Sequence, residues 1–287
     1  MIHLVIGASG FIGNSLYSLL KKNRKEVIGT YFSYEKPNLF FSDMTKKSDL
    51  EILFNKHTPN ITYMPAFIPG VDNCEKSEET NVVNKNGIRN VVDICKEYNS
   101  KLIFYSSDYI FNGISGPYLE TEKYNPINRY GSTKVICEKY VKELPDFLII
   151  RTTIVYGYDI NSKNFLMTLV SDLKNNKKRR VPIDQIGSPT YVKDLVNISL
   201  ELVNKSKKGI YNVAGPDLCT RYEFALKIAR IFELNENLII PVSTSELKQK
   251  AKRPLKAGLL IDKIRTEIDA KPLGIDQALN LLKKYFI

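Results

Sequence analysis

The residues best suited to chemistry in this chain lie between Lys101 and Lys134. Leu102–Tyr105 are apolar or aromatic, and the run then breaks into Ser106, Ser107 and Asp108. That is the pattern of a strand buried on both faces of a parallel sheet. Ligands in open α/β sheets bind just beyond the carboxyl ends of such strands. Tyr130 and Lys134 follow, spaced i, i+4, so both side chains share one face of a helix. A hydroxyl at a strand tip, facing a Tyr–Lys pair, can polarise a carbonyl and protonate the alkoxide that hydride addition creates. Tyr17 and Lys21 have the same spacing but no hydroxyl-tipped strand before them, and are read as a helix-surface contact.

The elements that must position this group can be read outward from it. Ile2–Ile6 form an apolar strand leading into Gly7-Ala8-Ser9-Gly10-Phe11-Ile12-Gly13, and a helix carrying Leu16, Leu19 and Leu20 follows. Glycines between a first strand and a helix let the backbone approach a pyrophosphate, which rests on free N–H groups at the helix start. Gly7, Ser9, Gly10, Phe11, Ile12 and Gly13 are therefore candidate dinucleotide contacts. A second strand, Glu26–Tyr31, ends in Thr30-Tyr31-Phe32-Ser33, with no acid until Glu35 and with Lys36 close by. The carboxylate that would bind an unphosphorylated ribose is missing. NADP(H) is thus preferred as cofactor, with NAD(H) allowed.

Leu39–Phe41 reads as a third strand. After it, Asp43 and Met44 could frame an adenine, or Asp43 could belong to the N-cap region of a helix over Asp49–Lys56. Ile61–Ala66 gives a fourth strand that leaves the sheet at Pro65. Cys74–Tyr98 reads as one long helix with Val83, Gly87, Val91 and Cys95 along its buried side. Asn84 adjoins that stripe, able to brace the strand tips or a nucleotide. Asp146–Thr152 is another buried strand. Alternating strands and helices predict an α/β fold, a Rossmann doubly wound parallel sheet over residues 1–153. Residues 154–287 are expected to form mainly a smaller, substrate-binding α/β domain, with helices near Tyr191–Asn204 and Arg221–Phe232. A strand near Gly209–Ala214 is expected to return to the sheet.

Composition excludes several classes. At 287 residues, 43% hydrophobic and 25% charged, the chain is ordinary for a globular protein. No apolar run approaches the roughly 20 residues a membrane helix needs, and the N-terminus has no basic region before its apolar strand. A cytoplasmic location is expected. Four cysteines without a CxxC pair, and two histidines, argue against a zinc site or disulfide framework, and no metal is assigned. The segment GASGF fails the nucleophile-elbow pattern at Phe11. The net charge of +11 suits a polyanionic small molecule, and the Lys174–Arg180 cluster, lacking interleaved aromatics, is read as a solvated loop and not a nucleic-acid surface.

With these motifs in place, the chain resembles the extended short-chain dehydrogenase/reductase family over nearly its full length. Within it, the resemblance is to the sugar-nucleotide reductase branch that holds the dTDP-4-dehydrorhamnose reductases. It rests on GASGFIG at 7–13, VDNCE at 71–75, YSSDYIFNG at 105–113, YGSTK at 130–134, RTTIVYG at 151–157, DQIGSPT at 184–190, GIYNVAG at 209–215 and RP at 253–254. Pro65 and Pro69 stand where relatives are alanine-rich, and RPLKAGLL fits only in its first two residues.

The resemblance implies that Ser107 polarises the carbonyl, Tyr130 donates the proton, and Lys134 holds the nicotinamide ribose and lowers the Tyr130 pKa. It adds Thr30, Tyr31, Asp43, Met44, Pro65, Ala66, Asn84 and Ile154 to the cofactor contacts. It brings Ser107, Asp108, Tyr109, Tyr156, Asn164, Phe165, Gln185 and Arg253 to the substrate. For Arg253 there is also a physical warrant, since a guanidinium fork matches a diphosphate. The implied activity is NADPH-dependent reduction of a nucleotide-linked 4-keto-6-deoxyhexose for cell-surface polysaccharide synthesis. An epimerase shares Tyr130 and Lys134, and a non-catalytic regulatory subunit, like the methionine adenosyltransferase beta subunit, shares the branch. A dehydratase would need a second carboxylate where Tyr109 stands. The expected partners are a nucleotide sugar and at most a second copy of the chain in a homodimer, with no nucleic acid and no membrane.

Overall fold

The computed structural model describes residues 1–68 and 70–286; Pro69, singled out above, lies outside them. The first half alternates as the periodicity predicts. Its elements are β1 (Ile2–Val5), α1 (Phe11–Lys22), β2 (Glu26–Tyr31), β3 (Phe40–Phe41), α2 (Lys47–His57), β4 (Ile61–Met64), α3 (Val71–Lys76), α4 (Glu78–Glu97), β5 (Lys101–Ser107), α5 (Arg129–Val141) and β6 (Phe147–Thr152). The second half adds β7 (Val155–Tyr156), α6 (Phe165–Lys174), β8 (Arg179–Pro182), β9 (Ile186–Gly187), β10 (Thr190–Tyr191), α7 (Val192–Asn204), β11 (Gly209–Asn212), β12 (Cys219–Thr220), α8 (Arg221–Ile231), β13 (Ile239–Val242), α9 (Asp262–Ile268) and α10 (Ile275–Lys283).

Seven strands form one parallel sheet in the order β11-β6-β5-β4-β1-β2-β3. Successive side chains go to opposite faces, and both faces are covered. On β5, Ile103 and Tyr105 join one buried cluster while Leu102 and Phe104 join another. β6 divides in the same way, Leu148 and Ile150 against Ile149. The order reverses between β1 and β4, which makes the tip of β1 the switch point where a ligand crevice opens. The glycine loop leaves the sheet there. β11 reaches β6 from within the second half, pairing Gly209–Asn212 with Leu148–Arg151. A third cluster, including Leu169, Phe224 and Leu279, holds the C-terminal elements together.

Two expectations are corrected. The Cys74–Tyr98 helix is broken at Ser77, whose backbone is extended and whose hydroxyl accepts a bond from Thr80 N at 3.2 Å. Ser77 therefore caps α4, and its acidic successors Glu78 and Glu79 sit where a helix start favours them. The buried stripe of α4 includes Asn84 itself, together with Asn81, Gly87 and Val91. The Lys174–Arg180 cluster is only partly a loop, since Arg179 and Arg180 belong to β8. They pair with Asp172 and Glu246. The Tyr17–Lys21 pair is a surface contact, the ammonium lying 5.4 Å from the ring centre. No described helix is long and apolar enough to cross a membrane.

Candidate active site

Ser107 ends β5, and a single helical turn, Asp108–Ile110, follows it. The Ser107 hydroxyl donates to Asp108 Oδ1 at 3.1 Å and accepts from Tyr109 N at 3.3 Å. α5 is brought against this turn by Gly131, where a Cβ would sit 2.1 Å from the Tyr109 carbonyl oxygen. No residue other than glycine allows so close an approach. Asn128 caps α5 by accepting from Gly131 N at 2.8 Å, and its amide donates to Lys252 O at 2.9 Å. One residue thus fixes the start of the helix and tethers the segment carrying Arg253.

On α5 the face that begins with Tyr130 and Lys134 continues to Glu138. Glu138 is fully buried and pairs with Arg151 of β6 at 2.8 Å. The helix is therefore pinned to the sheet one turn beyond Lys134. Lys134 Nζ donates to the Tyr105 carbonyl at 2.8 Å and lies 3.6 Å from the centre of the Phe67 ring. Phe67 and Tyr109 both meet the Tyr130 ring edge-on, at centroid distances of 5.6 and 5.8 Å.

Burial dominates the protonation of this group. It raises the Tyr130 phenol above its ordinary value, and a hydrogen bond with Ser107 only partly opposes the rise. Burial also lowers Lys134 to about 8. In the free protein burial thus outweighs whatever lowering the neighbouring groups exert on the phenol. A half-buried, neutral phenol is a proton donor at neutral pH. Burial likewise raises Asp108, against hydrogen bonds from Thr153 and Ser107.

The glycine loop is shaped by contacts that a side chain would destroy. Gly7 has φ +88°, and a Cβ on Gly13 would lie 2.1 Å from the Gly7 carbonyl oxygen. Gly7 N donates to the Thr30 hydroxyl at 3.0 Å, so Thr30 ties β2 to the loop. Gly10, Ser9, Phe11 and Ile12 run from the loop into the start of α1. Ala66 packs on Gly7, with Pro65 before it. Asn84 grips the next residue but one by both amide groups, accepting from Ile68 N at 2.8 Å and donating to Ile68 O at 3.3 Å. Asp43 accepts from Thr45 N at 2.9 Å in a turn ahead of α2, while Met44 lies against Gly87. Tyr31 stacks edge-on against Phe41. Ile154 has φ +44°, a strained value for a β-branched residue, at the point where the chain leaves the sheet.

The remaining candidates divide into two sets. Asp108 and Tyr109 directly follow Ser107 and the Arg253 charge acts on Tyr109, whereas Tyr156, wholly buried, and Phe165 both pack on Phe224 in the C-terminal cluster. Asn164 is occupied as the cap of α6, and the Gln185 amide donates to Thr244 and Gln249. Arg253 is paired with Asp72 at 2.7 Å. The sequence reading did not find Phe67, Thr153, Glu138, Arg151 or Arg221. Of these only Arg151 left a signal, a charge inside the apolar run FLIIRT. A cavity of about 410 Å³ between α1 and α7 touches the site through Phe11 alone, so chemistry and not cavity size locates it.

Comparison with known proteins agrees with this geometry. The family described as the RmlD substrate binding domain matches residues 1–285. The dTDP-4-dehydrorhamnose reductase of Aggregatibacter actinomycetemcomitans is 30% identical over 298 residues, covering 98% of each chain. The spore coat polysaccharide biosynthesis protein SpsK of Bacillus subtilis is 33% identical over 88% of this chain and 86% of its own. The crystal structure of dTDP-4-dehydrorhamnose reductase from Bacillus anthracis in complex with NADP superposes with a TM-score of 0.89 at 29% identity, covering 99% of both chains. Sheet order, glycine loop, Tyr–Lys helix and this full-length match together make the chain a member of the RmlD substrate-binding-domain family.

Proposed function

We propose that the protein reduces the 4-keto group of a nucleotide-linked 4-keto-6-deoxyhexose with NADPH, the substrate being dTDP-4-dehydro-L-rhamnose and the product dTDP-L-rhamnose. The observation that carries this reading is the junction of the Ser107 hydroxyl, a half-buried neutral Tyr130 and Lys134 at the tip of β5. The reductases similar to this chain, one of them bound to NADP, support the same activity.

The chain's own residues suit the dinucleotide. The crowded Gly7–Gly13 contact leaves bare backbone at the start of α1, where N–H groups receive a pyrophosphate. Thr30 is committed to the loop, and no carboxylate follows it before Glu35, so a 2′-phosphate meets no repulsion. Gly7, Ser9, Gly10, Phe11, Ile12 and Gly13 would hold the pyrophosphate, and Lys134 the nicotinamide ribose. Bound there, NADPH supplies the hydride.

Ser107 holds the substrate's carbonyl oxygen and orients it toward Tyr130. Tyr130 gives its phenolic proton to that oxygen as negative charge develops; burial, which raises the phenol, opposes this step, and a nearby cation offsets that cost. Lys134, on the same helix face, supplies the positive field that makes the resulting phenolate tolerable. The Glu138–Arg151 pair keeps the helix, and so the distance between donor and acceptor, fixed.

Following NADPH consumption by purified protein with dTDP-4-dehydrorhamnose tests the reading. Turnover by the wild type, with dTDP-rhamnose as product, and its loss in Tyr130→Phe with NADPH binding kept, is the expected result. Turnover retained by Tyr130→Phe would sink the mechanism. Interconversion of sugars without net NADPH loss would mark an epimerase instead.

A further inference from the structure

Two guanidinium groups act on Tyr109, and the segments carrying them meet at one strand, where Arg221 N donates to Gln185 O and Ile186 N to Leu255 O, but they are in opposite states. Arg253 is satisfied, donating to Asp72 Oδ2 at 2.7 Å and to the Ala251 carbonyl at 3.0 Å. Asp72 is committed to it, since the same carboxylate accepts from Ala251 N at 3.0 Å. Arg221 is the other. It is the first residue of α8, held in place by its own backbone N–H, which donates to Gln185 O at 2.9 Å. Its guanidinium lies 5.3 Å from the centre of the Phe165 ring. Among the described residues it has no ion pair and no side-chain hydrogen bond.

The surroundings make this an unfavourable place for a lone cation. Asp108, Tyr109, Cys219 and Arg253 are the ionisable groups that act on Arg221. Arg253 repels it. Asp108 is the only carboxylate among them, and burial pushes it toward its neutral form. Five donors in a fixed planar fork are therefore half-buried, seated on an aromatic face and lacking an acceptor. A charge partly withdrawn from water without a partner is disfavoured, and an anion entering between the two arginines would offset both the repulsion and the deficit.

We propose that Arg221 receives the diphosphate of the nucleotide-sugar substrate, with the Phe165 ring as its platform and Arg253, locked by Asp72, as the fixed second cation. The assignment rests on the nucleotide-sugar reading above and adds a residue to it. Bidentate pairing with phosphoryl oxygens matches the fork and explains why arginine stands there. Its charge is felt by Asp108 and Tyr109, the residues that follow Ser107, so a diphosphate held there would lie on the Ser107 side of the site. Arg221 is thus a binding residue, acting on substrate capture and not on proton transfer.

The test compares the binding of dTDP, UDP and thymidine to the wild type, Arg221→Gln and Arg221→Lys by calorimetry, with NADPH binding as the folding control. Wild type is expected to prefer dTDP over thymidine by at least about tenfold, the size of a charge-assisted bond to phosphate. Arg221→Gln should lose most of that preference, keeping only what Arg253 supplies, while binding NADPH normally, and Arg221→Lys, which keeps the charge without the fork, should retain more of it. In turnover the Gln variant should raise KM for the nucleotide sugar about tenfold and leave kcat within about twofold. An undiminished preference for dTDP in Arg221→Gln overturns the proposal, as does a wild type that binds neither diphosphate better than thymidine. A wild type that prefers dTDP or UDP through Arg221, yet does not reduce dTDP-4-dehydrorhamnose, would reject the sugar assignment and uphold the role of Arg221.

Discussion

Replacing Lys134 by Met should abolish turnover and yet make the empty protein more stable near neutral pH. The reason is the cost of holding an ammonium in the interior. Burial lowers Lys134 from an ordinary 10.5 to about 8. At about 1.36 kcal/mol per pH unit, folding the charged form costs about 3 kcal/mol. Below pH 8 both the folded and unfolded chains carry the proton, and the whole cost is present. Between 8 and 10.5 the folded chain has lost its proton while the unfolded chain still binds one, so stability rises with pH. By pH 10 the remaining cost is about 1 kcal/mol. Met fills similar volume without the charge, but leaves the Tyr105 carbonyl without its donor, a loss of about 1–2 kcal/mol. Lys134→Met should therefore gain about 1–2 kcal/mol at pH 7 and little or nothing at pH 10. Denaturant unfolding without cofactor, at both pH values, reads this directly. A variant destabilised equally at the two pH values would refute the argument that Lys134 is a buried cation held at a cost.

Three further outcomes follow from the same site. In the reductive direction kcat/KM should fall as pH rises through about 8, where Lys134 loses its proton, and Phe67→Ala should move that fall upward by opening the ammonium to water; a fall unaffected by Phe67→Ala would mean that another group titrates. Gly13→Ala forces a Cβ to within 2.1 Å of backbone oxygen and should destabilise the fold by about 1–3 kcal/mol while weakening NADPH binding, measured by unfolding and by fluorescence titration. Glu138→Gln leaves Arg151 buried with a neutral partner and should cost about 3 kcal/mol in denaturant unfolding; a cost under about 1 kcal/mol would show that the pair does not anchor the helix.

Much of this arrangement was legible because it is local. The glycine loop must sit between a strand and a helix, and its spacing says so. The β5 run and the Tyr130–Lys134 spacing likewise need only neighbours in the chain to be read. What escaped was set by contacts distant in sequence. Ser77 breaks a helix whose apolar period runs on across the break, so periodicity hid a cap that Ser77-Glu78-Glu79 spelled out. The Glu138–Arg151 pair joins two elements that each read correctly alone. Phe67 and Arg221 reach the site only once a loop and a helix start are folded beside β5. The Tyr130 shift escaped for a related reason, since a neighbouring lysine is visible in sequence while burial is not.

The pairing of β11 with β6 also bears on how the chain is made. While a ribosome extends the chain, β6 is complete at Thr152 but its outer neighbour begins only at Gly209. At roughly 5–20 residues per second that stretch takes about 3–11 s to synthesise. During that interval a nascent sheet presents an unpaired strand edge to other chains, the usual template for aggregation. Arg151, which points inward from that strand to Glu138, places a charge on the vulnerable edge. Truncation after Thr153 would make the interval permanent, so a fragment ending there is expected to precipitate, whereas one extended past Asn212 can cover the β6 edge with the short strand β11.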